Sequence, residues 1–258
     1  MGFLCRRVSH AFRGAAGAVP TLDGVSFAAA EHEFVCLVGP SGCGKTTLLK
    51  VIASLIVPVA GEVVFTERDG NERPLTAMVF QDHGLFPWMS VIDNVAFCLE
   101  MRGVGRRERR ERARVFVDRF GLGAFADRYP AELSTGMRQR AGIARAFLAN
   151  PRILLMDEPF GALDAQAKAI LQEELLRLWR AESQTVLYVT HDIEEALLLG
   201  DRVIVLSGRP ARVLEDVAVP LGRPRSLPDR DRPEVIELKW KIWKTLETEV
   251  RKTLDSGV

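Results

Sequence analysis

Short, uniformly apolar runs alternate with amphipathic stretches along the chain, and that alternation predicts its elements. Residues 25–27 and 34–38 are rich in β-branched and aromatic side chains, as strands prefer. Residues 3–38 accordingly read as a series of short strands. A Gly-rich loop follows at 39–44, then a helix from about Gly44 to Ser54, stopped near Pro58. Residues 61–65 and 77–80 read as further strands, with the polar stretch 67–73 as a hairpin loop between them. From about Val91 to Asn150 the pattern turns helical. Strand character returns at 153–156, 185–190 and 203–206, with helices at about 164–182 and 192–199 between. Strands that are apolar throughout and alternate with helices predict a parallel sheet buried on both faces. A Pro-rich link covers 221–233. Beyond it Val235, Leu238, Ile242, Leu246 and Val250 recur every three to four residues, one apolar stripe on a final helix.

The 258 residues are 47% apolar and 27% charged, a globular balance with enough chain for one large domain or two small ones. Lys and Arg number 35 against 34 Asp and Glu, so a net charge of +1 gives no electrostatic case for nucleic acid. Residues 102–114 hold seven Arg and two Glu. Without interleaved aromatics to stack bases, they read as a solvated helix face rather than a nucleic-acid patch. The longest apolar runs, such as 153–156 and 196–199, fall far short of the about 20 residues a spanning helix needs. Residues 1–7 lack the apolar core of a signal peptide. Cys5, Cys36, Cys43 and Cys98 are scattered, which suits a reduced compartment without disulfides or structural zinc.

Three motifs carry chemistry. Gly39, Pro40, Ser41, Gly42, Cys43, Gly44, Lys45 and Thr46 fit G-x-x-x-x-G-K-[ST] between an apolar strand and a helix. Glycines there let successive backbone N–H groups turn inward and cradle phosphate oxygens. The following helix points its positive end at the anion. Lys45 would reach the β- and γ-phosphates of a nucleoside triphosphate, and the Thr46 hydroxyl would bind Mg²⁺. The second motif is the acidic pair Asp157 and Glu158 at the end of an apolar strand, where ligands bind in open α/β sheets. Asp157 would hold Mg²⁺ through water, and Glu158 would orient and polarise the attacking water. A helix cap is the plainer alternative for such a pair. The third motif is Leu133, Ser134, Thr135, Gly136, Met137, Arg138, Gln139 and Arg140, ahead of an apolar helix. Ser134 could cap that helix, or join Gly136 and the helix N-terminus in a second anion site. One chain cannot easily bring this site and the Gly-rich loop to one phosphate. A two-fold dimer could bury nucleotide between one subunit's loop and the other's Ser134 segment.

The order of residues 39–46, Gln81, 133–140, Asp157 and Glu158, 161–164 and His191 closely resembles the ATP-binding subunits of ABC transporters, over roughly residues 3–215. The resemblance implies an α/β fold: a P-loop NTPase with a RecA-like core, a small antiparallel β region and an inserted helical subdomain at 91–150. Residues 1–220 would form the ATPase domain, and 221–258 a Pro-rich link and C-terminal helix. ATP and Mg²⁺ would be its ligands, with Thr47 joining residues 39–46 at the nucleotide. Gln81 matches the Q-loop, a Mg²⁺ and water contact at the hinge to the helical subdomain. Ser134 and Gly136 match the signature that contacts the γ-phosphate across the dimer. Asp164 matches the D-loop that links the two sites, and His191 the switch histidine on the γ-phosphate. Phe12 matches the aromatic that stacks on adenine, with a core ring as the alternative. Catalysis would fall to Glu158, His191, Lys45 and Gln81. Thr135 replaces the usual second signature Gly, His32 a common turn Gly, and Gly161 a common Ser. None of these removes a catalytic group, so an active ATPase is expected.

After Gln81, residues Phe86, Pro87 and Trp88 set a large apolar group beside polar ones, as an interface core would be. In the family this surface receives a short cytoplasmic helix of the membrane subunit; packing within the helical subdomain is the alternative. Residues 191–210 and 219–224, with 86–88 and the short C-terminal helix, resemble the nitrate/sulfonate/taurine importer group. About 40 residues follow the core, too few for the β-rich regulatory domain of sugar-importer ATPases. The expected assembly is a homodimer on ATP, two integral membrane permease subunits and, indirectly, an extracytoplasmic solute-binding protein, with no nucleic acid. The chain would sit at the cytoplasmic face of the inner (plasma) membrane as a peripheral subunit. The alternatives are the ATPase of an exporter or lipid-trafficking complex, and a soluble non-transport ABC ATPase. The solute itself is not written in this chain.

Overall fold

The structure, a computed structural model, describes residues 2–14, 17–65, 73–82, 84–161, 163–182 and 184–255, with backbone only for 253–255. Residues 67–72 of the expected hairpin loop, and Ala162 of the D-loop match, lie outside the described residues; the strands on either side of that loop do not form a hairpin, 60–65 pairing with 3–9 in one sheet and 76–79 with 153–156 in another. In chain order the elements are β1 (Phe3–Gly14), β2 (Gly17–Ala29), β3 (Phe34–Val38), α1 (Lys45–Ile52), β4 (Ala60–Phe65), β5 (Thr76–Val79), α2 (Val91–Glu100), α3 (Arg106–Arg119), α4 (Thr135–Leu148), β6 (Ile153–Asp157), α5 (Ala165–Glu182), β7 (Thr185–Val189), α6 (Ile193–Leu199), β8 (Arg202–Leu206), β9 (Val213–Ala218) and α7 (Pro233–Asp255). They fall into two compact units, one of Met1–Asp69 with Thr185–Val258, the other of Gly70–Gln184.

In the first unit β3 is buried at every position and runs parallel to β7 and β8, with Leu37 opposite Val189 and Ile204. A strand covered on both faces has no use for a polar side chain, and Phe-Val-Cys-Leu-Val has none. β9 pairs antiparallel with β8. Its exposure alternates, so no apolar run announced it. A second, antiparallel sheet has the order β2–β1–β4. β1 and β2 are not the short strands expected of residues 3–38 but span 12 and 13 residues. Arg6 and Arg7 face solvent, and register shifts after Cys5 and Val8 carry the ladder past them, so polar residues continue the strand without joining the core.

The C-terminal segment is tied to α6. Arg225 has a side chain 1% exposed. Its guanidinium donates to the carbonyls of Leu197 (3.2 Å), Leu198 (3.3 Å), Gly200 (2.5 Å) and Leu221 (2.9 Å). It therefore supplies the donors that the end of a helix lacks. Burial pushes Arg225 down to about 10. Arg225→Met should leave several buried carbonyls unpaired at about 1–3 kcal/mol each, softened where water enters. A net loss of at least ~2 kcal/mol is expected, read as a midpoint about 4–8 °C lower in thermal unfolding; an unchanged midpoint would show the cap to be dispensable. On α7 the expected stripe is buried at Val235 and Ile242, but Val250 is exposed. A second apolar face, Ile236, Trp240 and Trp243, is exposed as well.

In the second unit β5 and β6 are parallel, with Val79 opposite Met156. Helices α2, α3 and α4 pack together. The Arg-rich segment becomes α3, on which Ala113 and Val117 are buried. Its arginines pair along the helix, Arg107 with Glu111 (2.9 Å), Arg112 with Glu108 (2.5 Å) and Arg114 with Asp118 (3.1 Å). Such exposed pairs contribute about 0.3–0.5 kcal/mol each. Among the described residues no helix is long and apolar enough to cross a membrane.

Candidate active site

The first unit presents the Gly-rich loop at the C-terminal end of β3. Lys45 opens α1, is 7% exposed, and donates to the carbonyls of Gly39 (2.8 Å) and Pro40 (2.9 Å). The loop thus curls around an ammonium. Gly44 sits at φ +124°, and a Cβ there would lie 2.9 Å from the Thr21 carbonyl oxygen. Only glycine fits. A Cβ on Gly39 would crowd Cys43 Sγ and Leu206. Gly42, at φ +73°, is open to solvent space. No acidic side chain occupies the first turn of α1 and no side chain caps it. Its N–H groups and positive end are left for an anion. Thr46 is half-buried and Thr47 buried on that turn, while Ser41 is exposed at the loop tip. Burial pushes the Cys43 thiol up, so it stays neutral and brings no negative charge to the cradle. These features fit the phosphates of a nucleotide.

His191 emerges from the neighbouring strand. Leu37 of β3 pairs with Val189 of β7. Gly39 and His191 each stand two residues past that pair, at the same edge of the sheet. His191 is exposed, and Asp192 caps the following α6 by accepting from the Glu195 N–H (3.1 Å). Phe12 lies on β1, 44% exposed, edge-on to His10 with ring centroids 4.8 Å apart. It is not a core ring. His32 takes φ +62°, which is why glycine suits that turn.

The second unit presents the acidic pair. Val79 of β5 pairs with Met156 of β6, so Gln81 and Glu158 also stand two residues past a parallel pair. Asp157 is buried at 3% exposure, Glu158 is half-buried and Gln81 is exposed. Glu158 adopts φ +46°, a left-handed conformation unusual for a non-glycine residue and frequent where function requires strain. Its carbonyl accepts from Gly161 N–H (3.1 Å) and from Gln139 Nε2 (3.3 Å).

The same unit holds the Ser134 motif. Ser134 caps α4 by accepting from Met137 N–H (3.3 Å), and the first turn carries no acid. The Thr135 hydroxyl accepts from Arg138 (3.0 Å). Asp164 accepts from the N–H groups of Gln166 (3.1 Å) and Ala167 (2.9 Å), fixing the start of α5. Ser134, Gly136, Arg140, Leu163, Asp164 and Ile170 line an open concavity of about 440 Å³.

The roles of two residues escaped the sequence reading. Gln139, 2% exposed, holds the Glu158 backbone; an amide amid the apolar stripe of α4 was the available signal. Asn94 is fully buried. Its amide donates to the carbonyls of Phe86 (3.1 Å), Met89 (2.9 Å) and Ser90 (3.1 Å) and accepts from Phe86 N–H (2.8 Å). It shapes the 86–90 loop. There Phe86 packs on Phe97 at 4.6 Å, whereas Trp88 is 70% exposed.

Residues 22–161 match the family model described as ABC transporter. An uncharacterised ABC transporter ATP-binding protein of Methanocaldococcus jannaschii is 47% identical over 240 residues, spanning 92% of this chain and 88% of that one. A taurine import ATP-binding protein of Rhizobium johnstonii is 50% identical over 200 residues, 76% of this chain and 75% of that one. A nitrate import ATP-binding protein of Synechocystis is 43% identical over 215 residues, 83% and 81% of the two chains. The dimeric structure of a bacterial ABC transporter cassette superposes with a TM-score of 0.77 at 32% identity, over 85% of this chain and all of that one. A family match over more than half the length, with relatives of this identity and reach, has one meaning: the chain belongs to the ABC transporter family, as an ATP-binding subunit and an ATPase.

Proposed function

We propose that this chain energises import of a small solute of the nitrate, sulfonate or taurine kind through paired membrane subunits. The observation that carries the reading is the likeness to import ATP-binding proteins over three quarters or more of the chain. Residues 39–47 bind the phosphates of ATP, with Phe12 against the adenine. Lys45 and His191 offset charge developing on the γ-phosphate. Glu158 takes a proton from the attacking water, which Gln81 helps to orient. Thr46, Gln81 and Asp157 would hold Mg²⁺, which would neutralise phosphate charge. Ser134 and Gly136 of a second copy, with Asp164 linking the two sites, complete each site in an ATP-bound homodimer. Closure of that dimer drives the permease pair from inward- to outward-facing, and hydrolysis resets it. The chain is peripheral, on the cytoplasmic face of the inner membrane, and meets the extracytoplasmic solute-binding protein only through the permease.

The test is affinity purification of the tagged chain from detergent-solubilised native membranes, with mass spectrometry of what co-elutes. A polytopic permease in equal amount is expected. Soluble partners alone, or nucleic acid, would overturn the importer reading. Trp88 supplies a second check. It is exposed with its ring against Phe86, and the backbone of its loop is bonded by Asn94 at Phe86, Met89 and Ser90. Trp88→Ser should leave ATP hydrolysis by the isolated chain within about twofold. Exposed aromatics at interface centres typically contribute about 2 kcal/mol or more, so permease co-purification should fall at least tenfold. Full retention of permease would exclude this loop as the docking surface.

A further inference from the structure

We propose that Glu195 is a positioning residue for ATP hydrolysis, holding the turn that presents His191; the inference rests on the role given to His191 above. Glu195 lies on the third position of α6, 3% exposed, among Ala196, Leu197, Leu198 and Leu199, all buried. For packing alone an aliphatic side chain would serve there, and a buried carboxylate is costly unless it is hydrogen-bonded. This one is. One oxygen accepts from the Tyr188 hydroxyl at 2.8 Å and the other from the Thr190 hydroxyl. The Thr190 oxygen in turn accepts from the Asp192 N–H at 3.0 Å. Asp192 closes the circuit, its carboxylate accepting from the Glu195 N–H at 3.1 Å.

The circuit fastens the chain on both sides of His191 and leaves the imidazole itself exposed. Direction matters in it. A carboxylate can only accept, so both hydroxyl protons must point at Glu195. The Thr190 lone pairs are thereby turned to the Asp192 N–H, and the backbone at 190–192 has one arrangement. Burial, with the Glu195 charge second, pushes the Tyr188 hydroxyl well above its ordinary value, so it remains a donor. An amide at 195 keeps the volume but offers one donor and one acceptor, and one hydroxyl must then reverse.

The experiment is steady-state ATP hydrolysis by the purified full chain carrying Glu195→Gln, His191→Ala, both together, and Thr190→Val. Misplacement of a catalytic group by about 1 Å costs up to about 100-fold. Glu195→Gln is therefore expected to lower kcat by about 10- to 100-fold with KM for ATP within about twofold. In the His191→Ala background Glu195→Gln should cost nothing further, because the group it positions is gone. Thr190→Val, which breaks the circuit from the other side, should lower kcat in the same KM-sparing way and serves where the Gln variant folds poorly. Wild-type kcat in Glu195→Gln, or a loss that adds fully to that of His191→Ala, would overturn the proposal. Wild-type hydrolysis by His191→Ala would instead sink the role of His191, and this inference with it.

Discussion

Glu158→Gln should lower kcat for ATP hydrolysis by about 10²–10⁴-fold while leaving ATP bound. That range corresponds to about 2.7–5.4 kcal/mol of lost transition-state stabilisation. The side chain keeps its size but loses its charge and basicity, with one carboxylate oxygen replaced by an amide N–H₂. Its backbone, at φ +46°, is held through the carbonyl by Gly161 N–H and Gln139 Nε2, neither of which touches the carboxylate in those bonds. The amide therefore inherits the same position without the ability to accept a proton. The Gly-rich loop lies on other elements and keeps its conformation. With binding intact and the chemical step blocked, the variant should accumulate as an ATP-bound dimer. Phosphate release gives the first result, and light scattering after size exclusion with and without ATP gives the second. Hydrolysis at the wild-type rate would remove Glu158 from the role of base.

How much of this was legible in the sequence depended on whether a residue's partner was local. The Gly-rich loop, Asp157 and Glu158 could be read because each sits at the end of a uniformly apolar strand, β3 or β6, and the strand itself fixes where they emerge. The cap of Ser134 was legible for the same reason, since its acceptor serves an N–H three residues away. Gln139, Asn94 and Arg225 were not. Their partners lie at Glu158, at Phe86 and at Leu197, and no periodicity within one element reports a bond to another. The length of β1 and β2 was missed through a related blindness. A pattern of apolar residues marks the buried face of a ladder and says nothing of how far its solvated part continues. Phe86, Pro87 and Trp88 looked alike as an apolar triplet. Folding gives them different exposure: Phe86 packs on Phe97, and the Trp88 ring lies against Phe86 yet stays 70% exposed.

Lys45→Met should weaken ATP binding, and so separates binding from chemistry when set beside Glu158→Gln. The ammonium is 7% exposed and rests on the carbonyls of Gly39 and Pro40 at 2.8 and 2.9 Å. It is poised within the loop rather than extended into water, so little side-chain order remains to be lost when phosphate arrives. A hydrogen bond to a charged group contributes about 1.5–3 kcal/mol, and each 1.4 kcal/mol is tenfold in affinity. Losing the contact should weaken ATP binding by roughly 10- to 100-fold, measurable by isothermal titration calorimetry. Methionine fills the space but takes the ammonium donor from the Gly39 carbonyl, while the Pro40 carbonyl keeps the Cys43 N–H at 3.3 Å; the further cost of about 1–2 kcal/mol should be visible as a lower unfolding midpoint without nucleotide. A folded Lys45→Met chain that binds ATP as tightly as wild type would mean that the loop does not hold the phosphates. If it binds weakly while Glu158→Gln binds normally and does not turn over, the two units have been assigned their separate tasks: β3 and α1 capture the nucleotide, and the end of β6 cleaves it.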